Sequence, residues 1–174
     1  VCDECKLVQI DEYKKSDDIF NKDYAYFSSF STSWLEHAKS YVEKISDKLS
    51  LNQNSLVTEI ASNDGYLLQY FVESGIPCIG IEPTSSTAKV AKEKGIDVIE
   101  DFFGSNLATT LEKSDLILGN NVLAHVPDIN DFVSGLKTAL KENGTITMEF
   151  PHLLNIIKDN QFDTIYHEHF SYFT

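Results

Sequence analysis

Arginine is absent from the 174-residue sequence: all 14 basic residues are lysines, set against 27 acidic residues, and the formal charge is −13. Nucleic-acid binding needs a clustered positive surface, so this class of partner is excluded. With no guanidinium fork, an anionic ligand has to be met by lysine, backbone N–H groups or helix N-termini. Long apolar runs are lacking too. None approaches the roughly 18–20 residues that span a bilayer, and the first residues show neither the basic nor the apolar region of a secretory leader. The expectation is a cytoplasmic protein without membrane contact. Cysteine is scarce and odd in number, which argues against a disulfide framework. Cys78, in the apolar run IPCIGI, reads as a small buried strand residue.

What is present is ordinary globular composition, 42% hydrophobic and 24% charged, enough for one core or a core with a small appendage. The apolar positions Trp34, Ala38, Tyr41, Val42, Ile45 and Leu49 recur at helical spacing and predict a linking helix over about 33–49, with Trp34 as a packing residue. From Leu56 onward strands alternate with helices. The strand segments are LVTEIA, CIGIE, DVIED, DLILGNNVL and TITMEF, and the helices between them include TAKVAKEKG, SNLATTLEK and DINDFVSGLKTALK. This alternation predicts right-handed βαβ units and an α/β fold with a mostly parallel sheet. Ligands in such sheets bind outside the carboxyl ends of the strands, near the point where strand order reverses.

The residues that follow the strands are therefore the candidates. After the first strand, Ala61-Ser62-Asn63-Asp64-Gly65 is a turn whose Asn, Asp and Gly tolerate unusual backbone angles. It has one glycine where a dinucleotide site would show G-x-G-x-x-G, which suits a ligand without phosphates, such as an aminoacyl-adenosine. Glu82-Pro83 follows the second strand, where a carboxylate can accept from both ribose hydroxyls. Asp101-Phe102-Phe103 follows the third, offering a carboxylate for an adenine amino group beside aromatic surface. Asn120-Asn121 and His125 follow the fourth.

Near the C-terminus, Tyr166-His167-Glu168-His169 concentrates acid–base groups. An imidazole is both neutral and basic near pH 7, and a neighbouring carboxylate can orient it. The same tetrad on a strand would put both histidines on one face and permit a metal pair, or it could form a polar surface turn. Residue chemistry alone leaves these alternatives open.

The strings EIASNDGYLLQYF, GIEPT, DFF, NNVLAHVPD, EFPHL and above all YHEHFSYFT resemble the sugar C-methyltransferases, which methylate nucleotide-linked deoxy-4-keto sugars. The stretch CDECKLVQ with DYAYFSSFS resembles the same family's passage from a zinc-binding module into its methyltransferase domain. The resemblance implies a Rossmann-like class I methyltransferase domain over 33–174 and a remnant of the zinc module over 1–32. It implies an S-adenosylmethionine pocket lined by Ala61, Asn63, Gly65, Glu82, Pro83, Asp101, Phe102 and Asn121, with alanine at position 61 where the family usually carries glycine. It also implies a nucleotide-sugar substrate; the aromatic run Tyr24, Tyr26 and Phe27 reads either as lining the substrate side or as a packed hinge.

Carbon methylation beside a ketone needs a base for the α-proton, a partner for the enolate oxygen and a donor held in line. His169 is the expected base and Glu168 its orienter or a substrate ligand, with Tyr166 and His125 near the keto or enolate oxygen. Cys2 and Cys5 form a C-x-x-C, two of the four ligands of a structural zinc, so the expectation is a half site without a well-formed metal centre in this chain. The resemblance further implies sheet strands and a substrate-holding domain beyond Thr174. The competing readings are an O- or N-methyltransferase acting on another small molecule, and a nucleoside-binding module without catalysis.

Overall fold

The computed structural model describes residues 1–12, 14–15, 19–20 and 26–174. In chain order its strands are β1 (Val8–Gln9), β2 (Val57–Ile60), β3 (Cys78–Ile81), β4 (Asp97–Ile99), β5 (Ser114–Asn120), β6 (Leu140–Glu149) and β7 (Ser171–Tyr172). Its α-helices are α1 (Thr32–Leu49), α2 (Leu68–Glu73), α3 (Ser85–Glu93), α4 (Ser105–Ala108), α5 (Ile129–Ala139) and α6 (Leu153–Lys158). Strands β2 to β6 form one parallel sheet in the order β4-β3-β2-β5-β6. The chain builds outward from β2 to β4, then returns to place β5 on the other side of β2. The order reverses between β2 and β5, and that crevice is where the fold offers a ligand site. Among the described residues no helix is long and apolar enough to cross a membrane.

Helices cover both faces, so the central strands are apolar on both sides, as parallel strands require. On one face Ala38, Val42 and Ile45 of α1 and Leu68 and Phe71 of α2 pack on Val57, Leu116 and Leu118. On the other, Ala108 of α4 and Phe132, Leu136 and Ala139 of α5 pack on Ile60, Ile81 and Ile117. The amphipathic helix expected over 33–49 is α1, capped by Ser31 Oγ, which accepts from the Trp34 N–H at 3.3 Å.

Several elements differ from the sequence reading, each for a local reason. The helix expected through SNLATTLEK ends at Ala108. Thr109 and Thr110 donate their hydroxyls to the carbonyls of Asn106 and Leu107, both at 2.8 Å, and so compete with helix continuation. Strand β6 begins at Leu140, five residues before TITMEF, because Leu140 pairs with Ser114 across a register shift. YHEH is a turn and not a strand, closed by the His169 N–H to the Tyr166 carbonyl at 3.1 Å, which leaves His167 exposed and His169 buried.

A second, two-stranded sheet pairs β1 antiparallel with β7. The Ile10 N–H bonds the Phe170 carbonyl at 3.0 Å, and the Phe170 N–H bonds the Ala124 carbonyl at 2.7 Å. The tetrad is thereby fixed to both the N-terminal segment and the loop after β5.

Gly65, expected at the cofactor, is instead a packing position. Its φ is +72°, and an added Cβ would lie 2.3 Å from Ile96 Cδ1 and 3.1 Å from Ala91 Cβ. Gly65→Ala combines left-handed strain with overpacking, so denaturant unfolding should show a loss of about 2–4 kcal/mol. A loss under about 0.5 kcal/mol would show that the turn relaxes freely.

Candidate active site

A cleft of about 770 Å³ opens at the carboxyl ends of the strands. Its floor is the turn after β2. Ala61 and Asn63 both adopt left-handed φ, +58° and +50°, and Gly65 continues the alternation. A residue such as asparagine tolerates this region, whereas alanine pays roughly 1 kcal/mol for it. Ala61, Asn63, Glu82, Pro83, Asp101, Phe102 and Asn121 all line the cleft, as do Tyr26, His125, Tyr166, Glu168 and His169. Gly65 does not, and Tyr24 lies outside the described residues.

Glu82 is 5% exposed, and its carboxylate is held at both oxygens. Oε2 accepts from the Asn63 N–H and Oε1 from the Thr84 N–H, each at 2.9 Å. Burial raises its pKa, and the Thr84, Asn63 and Thr87 hydrogen bonds oppose the rise. Each oxygen keeps a lone pair for another donor, the requirement for gripping a vicinal diol. Asp101 Oδ1 accepts from the Phe102 N–H at 2.8 Å, which orders the acid beside the half-exposed Phe102 ring. Asn63 contributes through its backbone, since its side chain is already engaged by Tyr26 and Ser28.

The opposite wall carries the histidines. His169 Nδ1 is 2.8 Å from the Thr164 carbonyl and Nε2 is 3.0 Å from the Tyr166 hydroxyl. A carbonyl can only accept, so Nδ1 bears the proton and Nε2 presents its lone pair to Tyr166. The orienting group is thus the Thr164 carbonyl. Glu168, expected as orienter or substrate ligand, has its carboxylate 3.9 Å from His167 Nε2 and lines the cleft.

Burial lowers the His169 pKa, opposed by Thr164 and by the Glu168 charge. His125 meets His169 edge to face, ring centroids 4.6 Å apart. Burial first, then the neighbouring His169, push its pKa down to about 4. Burial, then the Glu168 charge, raise the Tyr166 hydroxyl, so it remains a proton donor.

Trp34 and Glu59 are not read as site residues in the sequence. Trp34 packs against the core and also lines the cleft, stacked between His37 and Tyr66 at centroid distances of 5.1 and 5.9 Å. Asn120 Nδ2 donates to the Tyr66 hydroxyl at 3.2 Å. Glu59, fully buried in β2, has its pKa raised well above a normal carboxyl by burial and then by Glu82. An acid inside the apolar run LVTEIA was the available sign. Among the described residues, six carboxylates and no lysine line the cleft: Glu82, Asp101, Asp128, Asp131, Asp163 and Glu168.

The methyltransferase domain family model matches residues 34–174. The chain belongs to the methyltransferase domain family. It is 34% identical to the C-methyltransferase NovU of Streptomyces niveus over 178 residues, covering 100% of this chain and 42% of NovU. It is 29% identical to a ubiquinone biosynthesis O-methyltransferase of Actinobacillus pleuropneumoniae serotype 5b (strain L20), over 52% of this chain and 43% of that protein. The chain therefore spans under half the length of these relatives. Among solved structures, an S-adenosylmethionine-dependent methyltransferase from Clostridium acetobutylicum ATCC 824 superposes with a TM-score of 0.61 at 14% identity, over 72% of this chain and 54% of that one. The α/β fold with a mostly parallel sheet expected from the strand–helix alternation, and the Rossmann-like methyltransferase fold implied by the resemblance, are the observed ones.

Cys2 and Cys5 lie in a turn in which backbone hydrogen bonds from Cys5 and Glu4 pull the Cys2 thiol pKa down, a setting that favours thiolate. Among the described residues no group of three or more His, Cys, Asp or Glu side chains could hold a metal ion. Cys2 and Cys5 are two thiols, and a structural zinc takes four ligands.

Because the folded pKa of His125 lies below its unfolded value, the unfolded chain binds the proton first. Stability is thus lost as pH falls from 6.5 toward 4, by about 3 kcal/mol for this residue. Denaturant unfolding at pH 7 and pH 4 should show His125→Gln losing correspondingly less than the native sequence. Equal acid sensitivity would refute the burial of a neutral His125.

Proposed function

We propose that this chain carries the donor site and catalytic base of an S-adenosylmethionine-dependent methyltransferase that methylates carbon beside the ketone of a nucleotide-linked deoxy sugar. The observation that carries the reading is His169. Its Nδ1–H is fixed on the Thr164 carbonyl and its Nε2 lone pair meets the Tyr166 hydroxyl, and His169, Tyr166 and Glu82 all line one cleft. The relatives' names support methyl transfer, and NovU, the C-methyltransferase among them, aligns with the whole of this chain.

The residues fit the cofactor. Glu82 offers paired acceptors for ribose hydroxyls, Asp101 and Phe102 suit an adenine, and the acidic lining suits a cationic donor. When bound, S-adenosylmethionine supplies an electrophilic methyl group on a sulfonium. Pro83 and Asn121 complete the lining on the two flanking strand ends.

His169 Nε2 takes the proton from the carbon beside the ketone, and the electron pair passes to the carbonyl oxygen. The Tyr166 hydroxyl, released from Nε2, donates to that developing oxyanion, with neutral His125 beside it. Glu168 accepts from a sugar hydroxyl, and Tyr26 lines the substrate side. With the donor bound, the enolate carbon would take the methyl group, a carbon–carbon bond forming as the sulfur–methyl bond breaks, so that S-adenosylhomocysteine leaves and the ketone is restored. The cysteine pair would contribute two ligands to a structural zinc.

The second reading is oxygen methylation, favoured by the likeness to the ubiquinone O-methyltransferase. There the same imidazole would deprotonate a hydroxyl. Deuterium exchange separates the two. With a nucleotide-linked keto sugar and S-adenosylhomocysteine in D₂O, the native protein should wash deuterium into the carbon beside the ketone. His169→Ala should slow exchange and turnover by about 10²–10⁴-fold while cofactor binding persists. Turnover should fall on the acid side with an apparent pKa below 6.5, since the base works neutral and its pKa is lowered. A methylated oxygen, or full activity in His169→Ala, would overturn the proposal.

A further inference from the structure

The side chains of the first turn reach away from the ligand space, toward the segment that enters α1. Asn63 Nδ2 donates to the Tyr26 carbonyl at 3.0 Å, and Asn63 Oδ1 accepts from the Ser28 N–H at 2.9 Å. Asp64 Oδ2 accepts from the Ser29 N–H at 3.3 Å. Lys94, at the end of α3, donates to Ser29 Oγ at 2.9 Å and to the Asp64 carbonyl at 2.7 Å, and its Nζ lies 3.8 Å from Asp64 Oδ2. The Asp64 side chain is 2% exposed, and a carboxylate so buried is tolerated only with donors and a cation beside it.

This arrangement joins three separate parts of the chain. The cofactor turn, the end of α3 and the Tyr26–Ser29 stretch meet through polar contacts at one place. Tyr26 and Ser28 of that stretch line the cleft, whereas Asp64 and Lys94 do not. The stretch approaches α1 through a single 3₁₀ turn, Ser28–Phe30, with Tyr26 and Phe30 largely exposed. Little apolar burial holds Tyr26, so the polar tether has to.

We propose that Asp64 and Lys94 are positioning residues that hold the Tyr26–Ser28 wall against bound cofactor, making wall docking and cofactor retention a single coupled equilibrium. The inference rests on the cofactor reading above. A ligand that touches the docked wall favours docking, and by reciprocity a loosened wall weakens the ligand by the same factor. Loss of wall contacts acts mainly on the off-rate.

The test is calorimetry and stopped-flow dissociation of S-adenosylhomocysteine from the native protein, Lys94→Met and Ser29→Ala. A hydrogen bond to a charged group carries roughly tenfold in an equilibrium constant, so Lys94→Met should raise Kd about tenfold through faster dissociation. Ser29→Ala, which removes only a hydroxyl, should raise Kd about threefold. In both, kcat at saturating cofactor should fall far less than kcat/KM for cofactor. S-adenosylhomocysteine should slow chymotryptic cleavage after Phe27 in the native protein more than in Lys94→Met.

Unchanged Kd in a variant with native thermal unfolding would overturn the inference and leave the cofactor reading standing. If Lys94→Met fails to fold, Ser29→Ala decides. Failure of the native protein itself to saturate would contradict the cofactor reading and the inference together.

Discussion

The Glu82 carboxylate, at the end of β3, accepts from the Asn63 N–H in the turn after β2 and from the Thr84 N–H before α3. This one buried group holds two neighbouring strand ends in fixed relation and engages the Asn63 N–H. It works because β2 and β3 are parallel and in register, so that Ile60 sits opposite Ile81 and the following residues emerge side by side. The left-handed angles at Ala61 and Asn63 are what bring that N–H round to the carboxylate. A buried acid meeting two backbone donors is charge-assisted and costs little to reorganise when a ligand arrives.

The other wall is built from a different part of the chain and by different means. A carbonyl, that of Thr164, sets the His169 tautomer, while the Ile10 N–H and the Ala124 carbonyl fix the backbone of the adjacent Phe170. The sheet supplies the donor side, and a short, doubly pinned turn supplies the base. Such a division suits a methyl transfer in which the two reacting partners approach from opposite sides and must be aligned before reaction.

Much of this was legible in the sequence, because βαβ alternation, apolar strands and the register of acids after strands two and three are set by periodicity and position. Side-chain roles that depend on a backbone partner were not. YHEH reads equally as strand or turn until the Tyr166 carbonyl closes it, and Glu168 looks like the orienter until the Thr164 carbonyl takes that place. Gly65 looked like a ligand contact, yet its lack of a Cβ serves Ile96 and Ala91. Asn63 is similar: a turn residue in the sequence, it turns its amide to hold Tyr26 and Ser28, a contact across more than thirty positions that no local pattern encodes. Trp34 sits at helical spacing with core residues, and only the fold shows that the same ring also reaches the cleft.

The account depends most on Glu82 being the ligand grip of the cleft as well as its structural tie. Titrating S-adenosylhomocysteine calorimetrically into the native protein and into Glu82→Gln tests this directly. One-site saturation of the native protein and a loss of about 30-fold or more in Glu82→Gln are expected, since hydrogen bonds to a charged acceptor are removed. Equal affinity in the two proteins, with the substituted one still folded, would contradict the account.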